Sequence, residues 1–114
     1  MNATIWHNPR CSKSRQALAI LQETPGVAVT VFDYLKTPPA RAEIAAVLAR
    51  AGVRPSQAVR TGEGVVKDIG LDTGNDDAVL DAMAAHPILI ERPIVITDKG
   101  AVIARPPEKA RDLL

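Results

Sequence analysis

The stretch from Ile94 to Ala104 leaves the chain little choice of local fold. Ile94-Val95-Ile96-Thr97 and Ala101-Val102-Ile103-Ala104 are β-rich runs on either side of Asp98-Lys99-Gly100. Runs so close in sequence pair as an antiparallel hairpin, and the spacing predicts a three-residue turn with Gly100 in the left-handed position. Hydrophobic residues make up 46% of the chain but aromatics only 3%. The core must therefore be Ala, Val, Leu and Ile in layers, which favours mixed helix and sheet.

The rest of the chain supplies both. Thr4-Ile5-Trp6 reads as a short strand, and the loop through Pro9 leads into a helix carrying Ala17, Leu18, Ile20 and Leu21 that ends at Pro25-Gly26. Residues 27–32 form a β-branched run suited to a buried strand. Thr37-Pro38-Pro39 opens a second helix with Ile44, Val47 and Leu48 on one face. Residues 52–70 read as short helices and loops. Asp76 to Ala85 is a clear helix, with Asp76-Asp77 at the dipole-favoured end and His86-Pro87 as its stop. Pro106-Pro107 then starts a C-terminal helix that carries Leu113 and Leu114. A βαβ half, a helical insertion, and a closing hairpin plus helix make a thioredoxin-like arrangement around a four-stranded mixed sheet. Composition and periodicity alone leave it one α/β option among several.

At 114 residues the chain is expected to be one domain, 1–114, without repeats or linkers. A net charge of +1 argues against nucleic acid as the main ligand, since phosphate-backbone binding needs a concentrated basic face. No apolar run approaches membrane-spanning length, and the first residues carry no basic leader. The single cysteine cannot form an internal disulfide. Together these point to a cytoplasmic protein with a free thiol.

That thiol, Cys11, lies in His7-Asn8-Pro9-Arg10-Cys11-Ser12-Lys13-Ser14-Arg15, where the first loop becomes a helix. Backbone N–H groups and the positive helix end should face its sulfur, with Arg10, Lys13 and Arg15 adding charge. An ordinary cysteine is only about 3% thiolate at pH 7, and a shift of about two units makes most of it nucleophilic. A lone cysteine is more often a small buried hydrophobe, but this one opens a helix in a cationic loop. His7 is either a solvated loop histidine or an imidazolium that helps hold the thiolate or an anion.

Counting tests three motif classes. A dithiol centre needs a second cysteine where the chain has Ser14. A cysteine phosphatase loop needs arginine where it has Ala17. A metal site would have to use Cys11, His7 and distant His86, without paired ligand spacing. Of nine arginines most must be solvated, but two converge. If Thr97 pairs with Ala101, Arg105 stands opposite Pro93 and beside Arg92, at the end of the sheet where the first strand delivers Cys11. Pro93 needs a reason in such a strand, and a cis Arg92-Pro93 bond would give one. Arg60, in Val59-Arg60-Thr61-Gly62-Glu63, is indistinguishable from the solvated arginines on periodicity.

Taken together, the stretch from His7 to Arg15, Asp33-Tyr34-Leu35-Lys36-Thr37-Pro38-Pro39, Arg60-Thr61, His86-Pro87-Ile88-Leu89-Ile90-Glu91-Arg92-Pro93-Ile94-Val95 and Arg105-Pro106-Pro107-Glu108-Lys109 resemble the glutaredoxin-coupled arsenate reductases of the ArsC family. The likeness runs in order from Thr4 to Leu114. It implies a thioredoxin-like fold, Cys11 as nucleophile, His7 as the histidine near the thiol, Arg60, Arg92 and Arg105 as oxyanion ligands, and a cis Pro93. It also implies arsenate as substrate and glutathione and glutaredoxin as electron donors, with no metal or organic cofactor; a monomer is expected, although the sequence itself does not give the oligomeric state. Gly62 departs from a lysine common in the family, and Val65-Val66 from more aromatic character. Rival readings are a related thiol oxidoreductase with another substrate and a non-enzymatic Spx-type regulator of the same fold, which has no need of three converging arginines. A monothiol glutaredoxin-like carrier would need C-G-F-S, which is absent.

Overall fold

The computed structural model describes residues 1–114. Contacts group the chain into two units, residues 1–37 with 92–114, and residues 38–91.

In the first unit, strand β1 (Asn2–Trp6), helix α1 (Ser12–Glu23) and strand β2 (Ala28–Phe32) form the βαβ half. Strands β3 (Ile94–Thr97) and β4 (Gly100–Ile103) form the hairpin, followed by a 3-10 helix over Pro107–Leu113 where an ordinary C-terminal helix was expected. The sheet is four-stranded and mixed, in the order β2-β1-β3-β4. β2 runs parallel to β1, and β3 antiparallel to it with Trp6 opposite Ile94. This is the thioredoxin-like layout that the order of elements implied.

Helix α1 presents Ser14, Ala17 and Leu21 on one buried stripe, the three- and four-residue spacing that a single helical face requires. The stripe joins Ala3, Ile5, Val95, Ala104, Ala110 and Leu113 in one core. Three of these partners across the sheet and helices are alanines, so the layers approach closely. Pro25 forces Thr24 out of helical geometry, to φ −81° and ψ 117°, and so ends α1. The chain's one Trp, one Tyr and one Phe gather beside the exit of β1. Trp6 meets Phe32 edge-on at 5.6 Å and stacks on Tyr34 at 6.4 Å.

Two expectations need correction. The β2 run is an edge strand, with Val31 47% exposed. A continuous β-branched run suits an edge as well as a centre, so periodicity could not tell them apart. The hairpin turn has two residues, Asp98 and Lys99, because Thr97 pairs with Gly100. Gly100, at φ +142°, enters the strand itself, a conformation few other residues tolerate. Thr97 Oγ1 accepts the Lys99 amide at 3.1 Å and tightens the turn. The register therefore shifts by one, the Ala104 amide bonds to the Pro93 carbonyl at 2.9 Å, and Arg105 comes opposite Arg92.

The second unit is helical: α2 (Arg41–Arg50), α3 (Pro55–Ala58), α4 (Gly64–Asp68), α5 (Asp76–Ala85) and a 3-10 turn at Pro87–Leu89. α5 packs on α2, α3 and that turn, over buried Ile44, Leu48, Val79, Met83, Leu89 and Ile90. Asn75 caps α5, its side chain accepting the Ala78 amide at 3.1 Å, and Arg41 ties α2 to α5 through Asp81 at 2.6 Å. Near the end of the unit, Val59 and Ile90 form an isolated antiparallel bridge. The Arg60 amide bonds to the Leu89 carbonyl and the Glu91 amide to the Ala58 carbonyl, both at 2.8 Å. No helix of the chain is long and apolar enough to cross a membrane.

Candidate active site

The loop that presents Cys11 is held from inside. The His7 amide extends the β1–β2 ladder by one bond, to the Phe32 carbonyl at 2.9 Å. Asn8, only 4% exposed, then organises a tight turn. Its carbonyl accepts the Cys11 amide at 3.0 Å and its side-chain oxygen the Arg10 amide at 3.0 Å. The fully buried Ser14 hydroxyl accepts the Asn8 amide at 3.0 Å and pairs with His7 Nδ1 at 2.6 Å. One serine on the first turn of α1 thus anchors the whole loop back to the helix. Arg15 closes it from outside, donating to the Pro9 carbonyl at 2.8 Å.

Cys11 is the N-cap residue of α1, extended at φ −91° and ψ 122°, and its carbonyl accepts the Arg15 amide at 3.0 Å. Its half-buried sulfur therefore sits over the first amides of a helix. Arg105 Nη1 lies 4.0 Å from Sγ and also donates to the Arg92 carbonyl at 3.1 Å. The Arg92-Pro93 and Arg105-Pro106 peptide bonds are both cis. The first matches the resemblance, and the second had no signal in the sequence. Burial of the thiol pushes its pKa up, but the Ser14 amide, the Arg92 guanidinium and the Lys13 amide together outweigh burial and hold it below an ordinary cysteine.

Cys11, Arg92 and Arg105 are thus brought together. His7 is placed otherwise than as a loop imidazolium. It is 7% exposed and bonded to Ser14. Burial pushes its pKa down, Asp33 partly opposes this and Arg15 reinforces it, so the neutral ring is favoured. The solvated option for His7 gives way to a buried ring that shapes the loop, and burial disfavours the cationic one. Arg60 belongs to the second unit, where Nη1 pairs with Glu91 at 2.8 Å and Nε with Glu63 at 3.3 Å.

Three residues of these arrangements escaped the reading of the sequence. Ser14 stood out there only as the position of a missing second thiol, although its three-residue spacing from Ala17 and seven from Leu21 puts it on the buried stripe. Asn8 carried the usual signal of a side-chain turn. Glu91 had none.

The family model described as ArsC family matches residues 6–113. An arsenate reductase of Rhizobium meliloti (strain 1021) is 43% identical over 116 aligned residues, covering 100% of this chain and 82% of that protein. Another, of Escherichia coli, is 40% identical over 115 residues, covering 99% of this chain and 81% of its own. Among solved structures, an arsenate reductase from Vibrio cholerae superposes with a TM-score of 0.92 at 40% identity, over 100% of this chain and 98% of that one.

Proposed function

The chain belongs to the ArsC family, and from that premise we propose that it reduces arsenate to arsenite with the Cys11 thiolate as nucleophile. The observation that carries the reading is the thiol itself, favoured in its ionised form at a helix start with two guanidinium groups beside it. A thiolate that only needed to survive would not be surrounded by anion-binding groups.

In this reading arsenate docks through Arg92 and Arg105, with Arg60 as a third ligand, because planar guanidinium forks suit the oxygens of a tetrahedral oxyanion better than a lysine point charge. The Cys11 sulfur attacks arsenic and displaces one oxygen as water, giving a thiolarsenate. The helix-start amides that favour the thiolate also orient it for that attack. His7, through Ser14, keeps the loop in place. Two electrons must then reach As(V). Cys11 and one glutathione thiol provide one each, arsenite leaves, and the Cys11–glutathione disulfide that remains is reduced by glutaredoxin. No other cysteine exists in the chain to do this internally, and glutathione, a small anionic thiol, suits a cationic pocket. The scheme needs no metal or organic cofactor, and a monomer in the reducing cytoplasm suffices for it.

The test is NADPH consumption that depends on arsenate in the presence of glutathione, glutaredoxin and glutathione reductase. Turnover is expected there and should be weak with thioredoxin and thioredoxin reductase alone. Efficient turnover in the thioredoxin assay, with glutathione rigorously absent, would overturn the electron path. Absence of arsenate turnover with every thiol donor would overturn the substrate and favour another oxidised anion.

A further inference from the structure

Arg60 is paired unusually heavily for a residue expected to bind an anion. Its Nη1 donates to Glu91 Oε1 at 2.8 Å and its Nε to Glu63 Oε1 at 3.3 Å. All three side chains are about one quarter exposed, at 23%, 27% and 30% for Arg60, Glu91 and Glu63. The backbone explains why Glu91 is there. The bridge between Val59 and Ile90, with an amide bond on either side of it, makes a two-stranded frame in which Arg60 and Glu91 are diagonal neighbours on the same face. The shorter contact has the length of a charge-assisted hydrogen bond. It involves groups partly withdrawn from water, unlike the exposed pairs Arg41–Asp77 and Arg54–Asp76 elsewhere in the same unit.

These two bonds fix the plane of the guanidinium while using only two of its three nitrogens. Nη2, with two N–H groups, takes part in neither. We propose that Glu91 is a positioning residue for substrate binding: it holds Arg60 so that the Nη2 amino group stands ready as a donor to the oxyanion. Without it a long, flexible side chain must be ordered each time an anion binds, a cost that preorganisation removes. Glu63, at the longer distance, is the minor partner. The inference rests on the reading of Arg60 as an arsenate ligand.

Steady-state kinetics with arsenate, glutathione and glutaredoxin separate the two claims. Glu91→Ala is expected to raise KM for arsenate by about tenfold with kcat within about twofold, the pattern of lost binding shared by ground and transition states. Glu91→Gln keeps an acceptor oxygen and should recover part of the loss, and it serves as the test variant if Glu91→Ala does not fold. In an Arg60→Ala background, Glu91→Ala should add no further change in KM, since residues acting through one another are not additive. If Arg60→Ala leaves KM unchanged, Arg60 is no ligand and both claims fall. If Arg60→Ala raises KM while the Glu91 variants do not, or if Glu91→Ala adds its own increment in the Arg60→Ala background, the positioning role alone is overturned.

Discussion

The two units use arginine in opposite ways. Beside Cys11, Arg92 and Arg105 come to a sulfur from just beyond the open end of the hairpin, and Arg92 helps that sulfur ionise. In the insertion, Arg60 meets two carboxylates, those of Glu63 and Glu91. The first environment raises the reactivity of a nucleophile. The second lends no charge to any nucleophile of its own unit and fixes the orientation of a donor. Under the arsenate reading, losses in the first region should fall on chemistry and losses in the second on binding.

The harshest test removes the nucleophile. Cys11→Ser should bring arsenate turnover to background while circular dichroism and thermal unfolding stay close to those of the parent, since the half-buried sulfur is not part of the core. Activity surviving this change would erase the distinction between the regions. Next in size, Arg92→Ala and Arg105→Ala should each lower kcat/KM by about 10²- to 10³-fold, the scale for removing one preorganised donor to developing charge. Arg111→Ala, on the exposed side of the C-terminal 3-10 helix, is the control and should change little. Equal effects in all three would show that proximity to the sulfur carries no weight.

How much of this could be read beforehand varied with the range of the interaction. The sheet, α1, α2 and α5 followed from local periodicity, and the convergence of Arg92 and Arg105 from pairing two nearby strands. That convergence survives the two-residue turn, because a shift of one position moves Arg105 from Pro93 to its neighbour Arg92. Position within a sheet is not local, which is why β2 read as buried and is an edge. The same applies to His7, whose surroundings bring together Ser14, Asp33 and Phe32. Glu91 was illegible because its partner lies 31 positions away, and no pattern in either segment announces the pairing.

A finer probe of the thiol region is its titration. With helix-start amides and Arg92 outweighing burial, the rate of alkylation of Cys11 should reach half its plateau below the roughly 8.5 of an unperturbed cysteine. Arg92→Ala should move that midpoint upward, and Arg60→Ala should leave it in place. A midpoint at or above about 8.5 in the parent protein would remove the basis for calling this region an activating one.

The smallest expected effect concerns His7, the residue of the thiol loop whose charged form burial disfavours. Its folded pKa is lowered, chiefly by burial, so folding favours the unprotonated ring. In the unfolded chain the same ring takes up a proton as the pH falls through about 6.5. The unfolded state then binds more protons than the folded one, so the stabilising contribution is fully present above about pH 6.5 and is lost as the pH falls toward the folded value. Urea midpoints measured between pH 7.5 and 5.5 should decline on acidification, and the decline should be shallower in His7→Gln, which has no proton to gain. The variant will be less stable overall, because the bond to Ser14 is altered, so the comparison is of slopes and not of absolute midpoints. Equal slopes would mean that His7 does not resist protonation in the folded protein. In that case His7→Gln should also raise the alkylation midpoint of Cys11, as loss of a nearby cation would, and the thiol loop would owe part of its activation to an imidazolium after all.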